Sequence, residues 1–162
     1  MKDVQKMLGL IGTCDDPEKL RSWHANALKA AHPDLAAAAF RRLIAILPAE
    51  TPGTLEHDFW QTVHAFEHIL KEERGKTVRL SRTRQMVARV GVVATLMSWA
   101  KRTTDTDGFT MLMERNMPEL TGEAIVLRHA SQFDPEVVTA ARDRLERAGV
   151  NVAALLKSSG EL

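Results

Sequence analysis

The sequence predicts an all-α protein, a compact multi-helix domain built from helical hairpins with a candidate helix-turn-helix in its middle. Three observations carry this. Apolar residues recur at three- and four-residue spacing along nearly the whole of the 162-residue chain. Alanine, leucine and arginine are plentiful and tyrosine is absent, a balance that favours helix over strand. No long alternating run of the strand type appears, and no Asn-Gly or Asp-Gly turn joins two such runs.

Each helix has its own signal. Val4, Met7, Leu8 and Ile11 share one face of a short first helix, which Gly12 to Asp16 breaks. Asp16 caps a second helix with Pro17 at its first position. The residues Leu20, Trp23, Ala27, Leu28 and Ala31 form its apolar face. The turn His32-Pro33-Asp34 ends it and starts a third, whose face is Leu35, Ala39, Phe40, Leu43, Ile44 and Leu47. So short a turn predicts an antiparallel pair. Pro48 to Gly53 is a loop, followed by a long fourth helix from Thr54 to Arg74 that Gly75 ends. Fifth and sixth helices, Arg82 to Arg89 and Val92 to Lys101, meet at Gly91. Past the polar loop 103–108, Phe109 to Arg115 is helical. Thr121 caps a short helix holding Ala124, Ile125 and Leu127; the run 125–127 also resembles a strand, but one without a partner. Asp134-Pro135-Glu136 starts a late helix that Gly149 ends, and Asn151 caps a last turn before a fraying Ser158-Ser159-Gly160 tail. The expected organisation is 1–74, a helical hairpin plus the long helix, and 75–162, the basic segment with the C-terminal helices, the two forming one unit.

Composition narrows the function classes. Cys14 is the one cysteine, so no internal disulfide can form and a reducing, cytoplasmic setting is expected. No apolar run is long enough to span a bilayer, and the first residues lack a secretion signal core, so no membrane partner is expected. No glycine-rich phosphate loop, serine nucleophile elbow or Cys-His pair is present. Asp105-Thr106-Asp107-Gly108 lacks the later ligands of a calcium loop. The expected protein is therefore non-catalytic and without cofactor or metal.

Charge is the uneven feature. Between Lys71 and Arg102 stand nine cations and two anions, a net of +7, while the remaining thirteen cations and nineteen anions leave −6. Such a segment suits phosphate, because cations displace condensed counterions from nucleic acid. Arginine dominates it, and the guanidinium fork fits phosphate oxygens and base edges. The residues expected to bind nucleic acid are Lys76, Arg79, Arg82, Arg84, Arg89, Ser98, Lys101 and Arg102. A solvated basic face paired to acidic helices is the plainer alternative.

A helix-turn-helix sharpens the expectation. Arg84 to Arg89 forms its first helix, Val90-Gly91 its turn and Val92 to Arg102 its second, with Thr95, Ser98, Lys101 and Arg102 towards a groove. The stretch Ala88-Arg89-Val90-Gly91-Val92 resembles the middle of a bacterial regulator's helix-turn-helix, over about twenty residues. It is one residue short before the glycine, and Trp99 falls one residue early. Two core helices joined at Gly91 fit the same residues.

The histidines are weighed separately. His57, His64 and His68 line one stripe of the fourth helix, expected to face solvent. The order His64-Ala65-Phe66-Glu67-His68 is not that of a zinc protease. Glu119, Glu123, Arg128 and His129 form a conceivable acid-base set whose geometry nothing fixes. The reading that follows is a nucleic-acid-binding protein, of duplex DNA above all. The alternative is a helical protein-protein adaptor using the Trp23–Phe40 hairpin and the Trp60/histidine stripe against an acidic partner or a second copy.

Overall fold

In the computed structural model, which describes residues 2–159, every regular element is a helix. The chain divides into two units, Met1–Pro52 and Gly53–Leu162.

The first unit holds α1 (Lys2–Thr13), α2 (Pro17–Lys29) and α3 (Pro33–Ile46). Asp16 caps α2 as expected, accepting from the amides of Glu18 and Lys19, and Pro17 occupies its first turn. Between α2 and α3, Ala31 takes a left-handed φ of 57°, and the chain turns back within three residues. The resulting hairpin is tied by His24, whose Nδ1 lies 2.8 Å from the Ala36 carbonyl oxygen. Ile11, Leu20, Ala39 and Leu43 form this unit's apolar cluster, joined by the buried Cys14. Arg42 donates to the Cys14 carbonyl at 2.8 Å and pairs with Asp15, closing the α1–α2 corner over α3.

The second unit holds α4 (Leu55–Arg74), α5 (Ser81–Ala100), α6 (Asp107–Glu114), α7 (Gly122–Arg128), α8 (Pro135–Arg147) and α9 (Val152–Ser159). The helix α4 falls here because Leu55, Phe59 and Val63 are buried in one cluster with Leu96 of α5 and Ile125 of α7. Its ends follow the sequence: the Thr54 hydroxyl accepts from the His57 amide, and Gly75 closes it at φ 70°. Thr121 caps α7 through the Ala124 amide at 3.1 Å, and Asn151 receives the Ala154 amide at 3.0 Å at the start of α9. The run 125–127 is helical and buried on every side, which is why its pattern lacks an amphipathic stripe. The last helix continues through Ser158 to Ser159, where fraying was expected, and Gly160 lies outside the described residues.

Within α5, Gly91 has φ 87° and ψ 171°, a conformation that glycine alone adopts readily. The two arms, 81–90 and 92–100, do not continue one another. Met86 Sδ lies 4.0 Å from Ser98 Oγ, whereas twelve residues of straight helix span about 18 Å. The chain therefore folds back at Gly91, and the expected pair of helices joined at that glycine is present.

The aromatic residues hold the pair in place. Trp99 stacks on Phe59 at 5.5 Å between centroids, and Trp60 meets Phe59 edge-on at 5.4 Å. Gly122 sits against Trp99 so closely that a Cβ there would lie 2.8 Å from the indole.

Candidate functional site

Between Arg74 and Thr104 the chain carries no carboxylate. This stretch begins in the last residue of α4, crosses the extended segment 76–80 and runs through both arms of α5. Of the eight residues expected to bind, Lys76, Arg79, Arg82, Arg89, Lys101 and Arg102 are exposed. Among the described residues no carboxylate lies within ion-pair reach of any of the six.

The other two are otherwise employed. Arg84 turns inward from the first arm and forms a two-pronged pair with Glu67 of α4: Nη2 to Oε1 at 2.5 Å and Nε to Oε2 at 3.3 Å. Its guanidinium also lies 5.2 Å from the centre of the Trp60 ring. Ser98 is half-buried and donates to the Thr95 carbonyl at 2.8 Å. Thr95, expected towards a groove, is buried and returns its hydroxyl to the Gly91 carbonyl at 2.8 Å. The second arm thus spends its polar side chains on its own backbone.

Charged groups pin α5 at both ends. At the start, the Leu80 amide donates to Glu67 Oε2 at 2.8 Å, and the same carboxylate holds Arg84. Burial pushes the Glu67 carboxyl up. The hydrogen bonds from Arg84 and the Leu80 amide, with the charges of Arg84 and His64, outweigh it and hold the group below its ordinary 4.5. At the far end, Arg144 of α8 donates to the Trp99 carbonyl at 3.1 Å and to the Arg102 carbonyl. It also donates to Glu123 of α7 at 2.8 Å and lies 3.4 Å from Asp105. Glu123 and Arg144 are 3% and 4% exposed, so this is a buried pair. Burial raises the Glu123 carboxyl above its ordinary value, with Arg144 pulling the other way. A carboxylate at the helix start and a guanidinium at its end both agree with the helix dipole.

Sequence reasoning passed over Arg144, although a signal was present. It stands seven residues after Val137 and three after Ala141, on the buried face of α8. The conceivable acid-base set is divided. Glu123 is taken by Arg144, whereas His129 Nε2 meets Asp58 at 2.7 Å and Arg128 Nε lies 3.4 Å from the same carboxylate. The histidine stripe also differs from expectation: His57 is buried, and His64 and His68 are half-buried. His68 lies 3.1 Å from Glu72 on the same helix. Trp60, offered as an exposed anchor, is half-buried between Phe59 and Arg84. A cleft of 460 Å³ is lined by Met113, Pro118, Val150 and Leu155, with Asn116, Asn151 and Ser158 at its polar positions, and among the described residues no ionisable side chain lines it.

What the stretch offers chemically is six exposed cations with no carboxylate between them along the chain: Arg82 and Arg89 on the first arm of α5, Lys76 and Arg79 before it, and Lys101 and Arg102 after the second arm, the pair being fixed by Glu67 and Arg144. No known protein family, no characterised protein and no solved structure matches this chain.

Proposed function

We propose that the protein is a non-catalytic nucleic-acid-binding protein whose target is duplex DNA. One observation carries this reading: Lys76, Arg79, Arg82, Arg89, Lys101 and Arg102 are all exposed in a stretch that holds no carboxylate. A polyanion is the complement of such a surface, and each phosphate contacted releases counterions. Exposed aromatic platforms of the kind single strands stack on are absent from residues 74–104, whose one aromatic side chain, Trp99, is half-buried on Phe59. Arg84 and Ser98 support the interface from within and do not touch the ligand.

The test is fluorescence anisotropy with a labelled random-sequence duplex of 20 base pairs across a salt series. The expected plot of log affinity against log salt falls with a slope of about −0.9 per phosphate contacted, near −5 if all six cations engage. The Arg79→Ala/Arg82→Ala/Arg89→Ala variant should lose most of that affinity with unchanged helical circular dichroism. Absence of duplex binding at low salt would overturn the reading and leave the protein-protein adaptor, with an acidic protein partner or a second copy, as the function to pursue.

A further inference from the structure

The first arm of α5 presents a different face from the second. At 100° per residue, Ala88, Ser81, Gln85, Arg89 and Arg82 fall in that angular order within an arc of about 120°. All five are exposed. The four residues on the rest of the arm's circumference before Val90, namely Thr83, Arg84, Met86 and Val87, are half-buried. Arg84 there holds Glu67, and Met86 meets Ser98 of the second arm. The arm is thus anchored by one side and open on the other, with Val90 at its end exposed on the anchored side.

We infer that this open face, and not the second arm, enters the DNA major groove, with Arg82, Gln85 and Arg89 reading base edges. The inference rests on the nucleic-acid reading above and gives it an orientation and a specificity. The residue types suit the task. Arginine donates two hydrogen bonds to guanine O6 and N7, and glutamine pairs with adenine N6 and N7. No carboxylate stands on the arm to repel the backbone. The second arm cannot serve, because Thr95 is buried and Ser98 is bonded to its own helix. From Arg82 to Arg89 the helix rises about 10.5 Å, the length of roughly three base-pair steps at 3.4 Å. The three side chains therefore match a run of three or four base pairs with guanine, adenine and guanine preferred in turn. Lys76 and Arg79 before the first arm, with Lys101 and Arg102 after the second, take phosphates and carry no base information.

The experiment is selection of the full chain on a duplex library randomised over ten base pairs, followed by anisotropy on the enriched sequence. The expected result is a purine-rich motif of three or four base pairs. Gln85→Ala should then lose roughly tenfold discrimination at one base pair with an unchanged salt slope. Arg79→Ala should lower affinity for every sequence alike and reduce the slope by about one. Salt-dependent binding without any enriched motif would overturn the inference and leave the phosphate-binding reading standing. A motif whose preference moves with Ser98→Ala and not with Gln85→Ala would also overturn it. Failure to bind any duplex at low salt would overturn the reading beneath it instead.

Discussion

Arg84 and Arg144 show how the same side chain serves two ends. Each was one arginine among many in the sequence, and each is claimed by a carboxylate from another helix. Removing one partner of a buried pair leaves the other charge uncompensated, which costs about 3–5 kcal/mol. Arg144→Met is therefore expected to destabilise the protein by that order through Glu123, and to free the Trp99 and Arg102 carbonyls. Urea unfolding measures it, and a loss below about 1 kcal/mol would contradict the assignment of a buried pair. Glu67 gives a pH test. Its folded carboxyl is held below the ordinary 4.5. The stability it contributes is complete above the unfolded value and is lost as pH falls through the lower folded one. Glu123 runs the other way: its raised carboxyl contributes below the ordinary value and loses that contribution as pH rises through the folded one. Glu67→Gln is expected to flatten the acid limb of the stability curve as pH falls below the ordinary 4.5, as read from denaturant midpoints. An acid limb as steep as in the parent would show that Glu67 does not carry it.

At the scale of the element, the α5 pair depends on two glycines for different reasons. Gly91 has open space where a Cβ would stand, so its constraint is the backbone alone. Gly91→Ala is expected to cost about 1–3 kcal/mol from φ/ψ strain, or to straighten the turn and separate Met86 from Ser98. Gly122 adopts an ordinary helical backbone but lies under Trp99. Gly122→Ala forces the indole away, and overpacking of this kind costs about 1–3 kcal/mol. The two variants differ in what they disturb. The glycine at the turn changes the arms' mutual direction, whereas the one beneath Trp99 shifts the second arm off α7. Duplex affinity should therefore fall with the first more than with the second at matched stability, and equal losses would argue against the arm's orientation as the determinant.

Across the whole molecule, near-neutrality conceals segregation. The formal charge is +1 at pH 7, yet the segment 71–102 carries +7. A protein of that net charge with evenly mixed side chains would pass through a cation exchanger at modest salt. This one is expected to be retained at pH 7, and the triple Arg79/Arg82/Arg89 alanine variant to elute at clearly lower salt. Equal elution of the two would mean that these arginines do not act as one patch.

Much of this was legible beforehand, and the reasons are local. The caps at Asp16, Thr121 and Asn151, the stop at Gly75 and the break at Gly91 each depend on residues within four positions of one another. Backbone propensity, capping and three-to-four periodicity act over that range, so the helices and the all-α class follow from the chain alone. The segregated charge is likewise a property of the sequence. Tertiary structure decided what becomes of each charge: that Arg84 belongs to Glu67, that Arg144 belongs to Glu123 and the end of α5, and that Thr95 and Ser98 bond to their own helix. Those partners lie between 17 and 45 residues away for the two arginines, and ion pairing is indifferent to sequence distance. A basic run shows how many cations exist. Only the packing of α4, α7 and α8 around α5 determines which of them remain for a ligand, because a buried charge must be satisfied by whatever the fold brings beside it.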